Sequence, residues 1–344
     1  MRNAGWIVQV AAIGIVVGLA EGGDCAAAAS SGEPNRLPRT PTLDNAFRAE
    51  WLRFGISSGR LVPTGARGIN VSTRSEGAQP RERLSIRIGL ADSAIHYELN
   101  ETDQELLLDI SGRHRLMFRR TPKGQAGFTA IQYEQPAQGP VVLRVGTGAT
   151  QKVYQAPSLW HLLIEHREVC RQYLLPLLQL VYRQGDLEKT AAEIENALLV
   201  LARQGRAPDK ERWARWVTQL ADPDFSTREA ADRQLRRAGP MVVPFLEQLD
   251  PSRLDAEQRH RIRRIIAALS ESPDSTDTPE HVATWLAGDP SVWLTFLAHP
   301  DEAVRRLAAE QLAGFLAEPV SFDPAASPET RTRQIEQLRA RLGR

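Results

Sequence analysis

The first side chains along this sequence that could share chemistry are His161, Glu165 and His166. Imidazole and carboxylate are the donors of a zinc or other divalent site, but two ligands on one helix face need a spacing of four. Here the histidines stand five apart and no further ligand is near, so both are expected to be structural. Ser57-Ser58-Gly59 and the Gly146-Thr147-Gly148 stretch lack the flanking glycines of a nucleophile elbow and the lysine of a phosphate loop, and they read as turns. Asp222 and Asp224 are placed to stop one helix and start the next, not to share a proton. No catalytic, cofactor-binding or metal-binding residue follows from such a set, and the expectation is a protein that is not an enzyme and carries no cofactor.

The densest charge run is Arg259-His260-Arg261-Ile262-Arg263-Arg264. At helical spacing Arg259 and Arg263 share a face, as do His260 and Arg264, with Ile262, Ile265 and Ile266 opposite. Arg259, Arg263 and Arg264 are therefore the residues assigned to partner binding. The partner is expected to be a protein, with an acidic surface or an anionic glycan as the alternative. Nucleic acid is not expected, because 43 basic residues face 42 acidic ones for a net charge of only +1.

These residues must be positioned by something, and 344 residues suffice for two domains with a core each. The chain opens on Arg2, an uncharged stretch from Gly5 to Ala20, and the small residues Ala26 to Ser30. The apolar stretch is shorter than the roughly 20 residues of a spanning helix, and the pattern is that of a secretory signal peptide. Residues 1–29 are read as that signal, which makes the protein exported, periplasmic or extracellular, with no stable membrane span after cleavage. Cleavage would remove Cys25 and leave Cys170, which lies in an apolar helical pattern and is expected to be a buried structural thiol.

A proline-rich linker and a short leading helix over Leu43 to Phe54 occupy 30–59. From 60 to 156 the hydrophobic period is two: Leu84, Ile86 and Ile88; Ile95, Tyr97 and Leu99; Leu106, Leu108 and Ile110; Leu116 and Phe118; Ile131 and Tyr133; Val141, Leu143 and Val145. Turn residues break the runs about every ten residues, which predicts an antiparallel meander forming a sandwich or a curved sheet. The links are too short for crossover helices, so parallel βαβ units are excluded. At Ser158, an expected N-cap, the period becomes helical, and 157–205 is read as a helical bridge.

The strongest signal lies in 209–344. Residues 216–235 (WVTQLADPDFSTREAADRQL) and 293–312 (WLTFLAHPDEAVRRLAAEQL) align without a gap at an offset of 77, with 10 of 20 positions identical. The matches include Trp216 with Trp293, Pro223 with Pro300, Asp224 with Asp301, Arg228 with Arg305, and Leu235 with Leu312. Proline stops the first helix, the aspartate starts the second, and alanine at 231 and 308 admits a close neighbour. The pattern, with the following Gly239-Pro240, resembles the HEAT-repeat family of α-solenoids, whose units run about 40 to 47 residues. The offset then leaves room for one degenerate copy between, over Leu254 to Leu269 and Pro279 to Leu286. The resemblance implies stacked helix pairs that bind partner proteins along one face. It brings no catalytic residue, and the repeat register puts Trp216 and Trp293 in the core.

The fold class expected is thus α+β: an N-terminal antiparallel β domain, a helical bridge and a short degenerate HEAT-like α-solenoid. The function expected is non-catalytic protein binding or scaffolding outside the cytoplasm. The rival readings are an envelope glycan-binding module working through the β domain, and an enzyme with a site assembled from scattered residues.

Overall fold

A computed structural model describes residues 37–342 apart from 66–67, 76–79, 90–92, 113, 125–126, 206–208, 270–276 and 317–319. The signal-like stretch lies outside the described residues, and among those described no helix is long and apolar enough to cross a membrane. The chain is α+β, an antiparallel sheet region followed by helices.

Helix α1 (Pro41–Arg48) leads in, and a two-stranded hairpin follows, β1 (Phe54–Ser57) with β2 (Arg60–Pro63). Then comes one eight-stranded antiparallel sheet: β3 (Ile69–Arg74), β4 (Arg81–Ile88), β5 (Ser93–Asn100), β6 (Gln104–Ser111), β7 (Arg115–Pro122), β8 (Ile131–Gln135), β9 (Val141–Val145) and β10 (Lys152–Ala156). Every strand pairs with its sequence neighbours, so β3 and β10 form the two edges. The alternation read from the sequence is the burial pattern. Leu84, Ile86, Tyr97, Leu108, Phe118, Tyr133 and Leu143 are buried on one face, while the intervening residues, many of them charged, are more exposed on the other.

The buried face is closed by α1, the hairpin and the first helices of the C-terminal half rather than by a second large sheet. Buried polar groups fix these layers. The Glu82 carboxylate takes the Thr42 N–H of the first turn of α1 at 2.8 Å and the Tyr97 hydroxyl at 2.6 Å. Gln135 acts as a substitute peptide group. Its Oε1 accepts from Leu61 N at 2.9 Å while its Nε2 donates to the carbonyls of Leu61 and His114, tying β2 to the sheet.

Two boundaries differ from expectation. The leading helix stops at Arg48, because Glu50 takes a positive φ of 59°, and β structure begins at Phe54, inside the stretch assigned to the linker. All four residues of β1 are buried, so that strand shows no period of two.

The helical half comprises α2 (Leu159–Glu165), α3 (Arg167–Val169), a π turn at Cys170–Leu174, α4 (Leu175–Gln179), α5 (Leu187–Arg203), α6 (Lys210–Gln219), α7 (Phe225–Arg237), α8 (Val243–Glu247), α9 (Ala256–Leu269), α10 (Pro279–Leu286), α11 (Pro290–Phe296), α12 (Glu302–Leu316) and α13 (Pro328–Arg341). The π turn keeps Cys170 inside, where its thiol donates to Leu162 O at 3.4 Å and burial pushes its pKa up to about 12. Helix α5 packs against α2, α10 and α12, so the bridge runs into the later helices instead of standing apart from them. Gly288, between α10 and α11, lets the Met241 carbonyl approach so closely that a Cβ would lie 1.9 Å from its oxygen.

The duplicated segments occupy α6–α7 and α11–α12, each a helix, a turn and a helix. Arg228 donates to the carbonyls of Asp222 (2.7 Å) and Pro223 (3.0 Å), and Arg305 to those of His299 (2.8 Å) and Pro300 (2.7 Å). Those acceptors are themselves 77 residues apart. The equivalent arginines therefore do the same local work, satisfying carbonyls orphaned at the end of the preceding helix.

Candidate functional site

A cluster of buried polar groups sits where the β1–β2 turn, the start of α2, the residues leading into α10 and the α10–α11 connection meet. The turn residues Ser58 (φ 53°) and Gly59 (φ 67°) are both left-handed, the conformation of a two-residue hairpin turn. That leaves their N–H groups aimed at one point, and the Asp277 carboxylate occupies it. Oδ1 accepts from Ser58 N and Oδ2 from Gly59 N, each at 2.7 Å, while Trp160 Nε1 adds a third bond at 2.6 Å. The Asp277 N–H in turn donates to Ile56 O at 2.8 Å. Burial raises the Asp277 pKa despite these three donors and the nearby His281.

Beside this clamp, Ser158 caps α2, and Leu159 N donates to Gly59 O at 2.9 Å, docking the helix start on the turn. Ser158 Oγ and His161 Nδ1 are 2.8 Å apart. His161 Nε2 lies 3.5 Å from Oδ2 of Asp289, outside hydrogen-bond geometry, and the ring stands edge-on to Trp285 at 5.3 Å. Asp289 caps α11 through Ser291 N at 2.8 Å. Glu247, at the end of α8, has its carboxyl raised by desolvation and eased down by the charges of His161 and Arg60.

Serine, histidine and aspartate in sequence of contact are the groups of nucleophilic acyl transfer. Their placement here argues against that chemistry. Ser158, His161 and Asp289 are 2%, 1% and 3% exposed. The Cα of Gly59 covers the serine so closely that a Cβ there would lie 2.7 Å from Oγ, which leaves no path for an acyl group. The serine contacts Nδ1 and the aspartate faces Nε2, the reverse of the usual triad. The cluster is a polar rivet joining three elements.

Of the sequence-derived candidates, His161 belongs to this rivet. His166 lies against Tyr154 at 5.0 Å, and desolvation lowers its pKa. The two histidines are not brought to a common ligand, and no group of three metal-ligating side chains occurs among the described residues. Ser57 ends β1 and Ser58 and Gly59 form the turn after it, while Gly146 to Gly148 bend into a short 3-10 turn. The clamp and the rivet beside it escaped sequence reasoning, since Asp277 and Ser58 are 219 positions apart. The one legible sign was Ser158 as an N-cap.

Helix α9 divides the basic run in two. Arg261 is held inward by Glu257 and by Glu229 of α7 at 2.7 Å. Arg259, Arg263 and Arg264 are exposed. Arg259 donates to the Leu254 carbonyl and Arg263 Nε to the Arg259 carbonyl at 3.2 Å, while Arg264 has no partner among the described residues. The helix below them is anchored by buried Ile262 and Ile265 and by Gln258, whose Nε2 donates to Val217 O at 2.9 Å. Compared with family models, with curated proteins and with solved structures, the chain finds no match in any of the three.

Proposed function

We propose that this is an exported, non-catalytic binding or scaffolding protein, and that its helical array, similar to a short HEAT-type solenoid, contacts a protein partner through α9. The observation that carries the reading is the division of the arginine run. One member is committed to an internal ion-pair network, while Arg259, Arg263 and Arg264 stand in solvent on a helix fixed at three buried points. Guanidinium groups carried on a fixed helix suit an acidic protein surface, because their planar forks pair with carboxylates in two-point contact. Export is proposed on the basic start, apolar stretch and small-residue run of the N-terminus.

The test is capture from envelope extract by the chain lacking its first 29 residues, beside the same chain carrying Arg259→Glu, Arg263→Glu and Arg264→Glu. Capture should be abolished while the thermal melt stays nearly unchanged, because exposed arginines contribute little to stability. Undiminished capture by the triple variant would remove α9 from the binding surface.

A further inference from the structure

The outer face of the sheet is charged in stripes. Arg74 of β3 and Arg81, Arg83 and Arg87 of β4 are exposed, and none has an ion-pair partner among the described residues. The next two strands are acidic, with Glu98 on β5 and Glu105 and Asp109 on β6, followed by Arg115 and Arg119 on β7, Glu134 on β8 and Arg144 on β9. Within the sheet the stripes satisfy one another: His96 meets Asp109 at 2.6 Å, and Arg144 meets Glu134 at 2.6 Å. At the β3 edge the alternation stops on a basic stripe. Arg74 and Arg83 are direct cross-strand partners there, a like-charge pair that costs stability. With Arg81 they line one cleft, which has Glu98 and Glu105 on its far wall.

Among the described residues, no strand pairs with the far side of β3, so the same edge is open along its backbone. Ser75 N donates to Glu82 O at 2.9 Å, which makes that pair a hydrogen-bonded one. By the alternation of an antiparallel ladder, Thr73 and Val71 also bond to β4, while Asn70, Ser72 and Arg74 direct their N–H and C=O groups away from the sheet. On the inner face, Ile69 and Val71 are only half-buried, unlike Ile86 and Leu84 opposite them. Charge on an edge strand alone is a common guard against aggregation. Arg81, Arg83 and Arg87 stand on the second strand, where that role does not place them.

We propose that β3 receives an extended acidic segment of a partner protein as a ninth strand. The segment's carboxylates would lie beside Arg74, with Arg83 and Arg87 one strand further in and reaching over β3 on their long side chains, and its intervening apolar side chains would cover Ile69 and Val71. Such a strand continues the stripe pattern, acidic beside basic, and supplies partners for the outward backbone groups. This surface is separate from α9 and does not depend on it.

The experiment uses a labelled peptide of about eight residues that alternates glutamate with valine or threonine, titrated into the protein by fluorescence anisotropy. Two variants are compared with the parent chain. Arg74→Glu with Arg83→Glu reverses the charge, and Ser72→Pro deletes an outward N–H without touching the β4 ladder. Each should weaken binding by about tenfold or more, and binding by the parent should weaken with salt. Hydrogen exchange on the parent chain gives a reading independent of how the variants fold: peptide should slow exchange at the Ser72 and Arg74 amides. No binding by the parent, or no added protection there, overturns the proposal. Loss in the charge variant with full binding by a folded Ser72→Pro protein also overturns it, because an anionic chain such as a glycan would then be held by charge alone. Loss in Ser72→Pro with none in the charge variant overturns the acidic identity of the strand.

Discussion

The two copies of the repeated segment share half their residues and the same arginine-to-carbonyl bonds, yet they live in different surroundings. In α11–α12, Trp293 is fully buried, its Nε1 donates to Ala287 O at 3.0 Å, and its ring packs on Phe296 at 5.8 Å. The matching Trp216 of α6 is half-buried, with the Arg212 guanidinium 6.0 Å over its ring. The neighbouring Trp213 takes the core position against Phe245 instead. Arg305 is 6% exposed and makes a third bond, to Pro324 O at 2.7 Å; Arg228 is half-buried and makes two. The second copy is enclosed because α11 packs on α2 and α13, and α12 on α5, whereas α6–α7 is flanked by α9 and the short turns around α8. Local sequence thus sets the helix–turn–helix, and the number of neighbours sets how much each position is worth.

The largest expected consequence concerns the tryptophans. Trp293→Ala should cost about 3–5 kcal/mol and Trp216→Ala less than about 2 kcal/mol, measured by denaturant unfolding at matched slope. Leu235 and Leu312, both fully buried, should not differ in this way, and alanine at either should cost about 2–5 kcal/mol. Equal losses at the two tryptophans would show that burial does not separate the copies.

A smaller contrast is expected at the arginines. Arg305→Met keeps the stem but leaves the carbonyls of His299, Pro300 and Pro324 without their donor, at a cost of about 1–3 kcal/mol. Arg228→Met exposes its two carbonyls nearer to water, which can replace the guanidinium, and should cost less than about 1 kcal/mol. If Arg228→Met proves the more damaging, the turn of the first copy is held more tightly than its exposure implies.

Legibility in the sequence followed the same division between local and distant causes. The β4 to β9 alternation needed only one buried and one solvated face, and it was readable at Leu84, Tyr97 or Leu143 without any knowledge of pairing. Strand β1 was not, since its four residues are all buried and carry no period. Strand β3 was not either, since Ile69, Val71 and Thr73 are half-covered at a sheet edge and mix with polar residues. The clamp of Asp277, Ser58, Gly59 and Trp160 depends on contacts across more than a hundred positions, and no spacing rule reaches that far. Helical spacing is enough to put Arg259, Arg263 and Arg264 on a helix with Ile262 and Ile265 facing inward, but the inward turn of Arg261 to Glu229 depends on the neighbouring helix. Trp216 is the opposite case, where the repeat register pointed to a core position that Trp213 fills.

The smallest expected difference lies at the helix starts, and it carries a pH signature. Asp224 caps α7 by accepting from Ser226 N at 3.3 Å and Thr227 N at 3.1 Å, with both hydroxyls donating to the same carboxylate. Asp301 begins α12 with a single bond, from Ala303 N at 2.8 Å. The four donors, Ser226 and Thr227 hydroxyls first, hold the Asp224 carboxyl below its ordinary value. A carboxyl with a lowered folded pKa releases its proton more readily folded than unfolded. Its contribution is therefore complete above the unfolded value near about 4 and disappears as pH falls through the folded one. Asp224→Ala should lower the melting temperature at neutral pH, and the gap to the parent chain should narrow on acidification below about pH 4. A gap that stays constant into strong acid would mean that the cap acts through shape alone, with the ionised carboxylate contributing nothing.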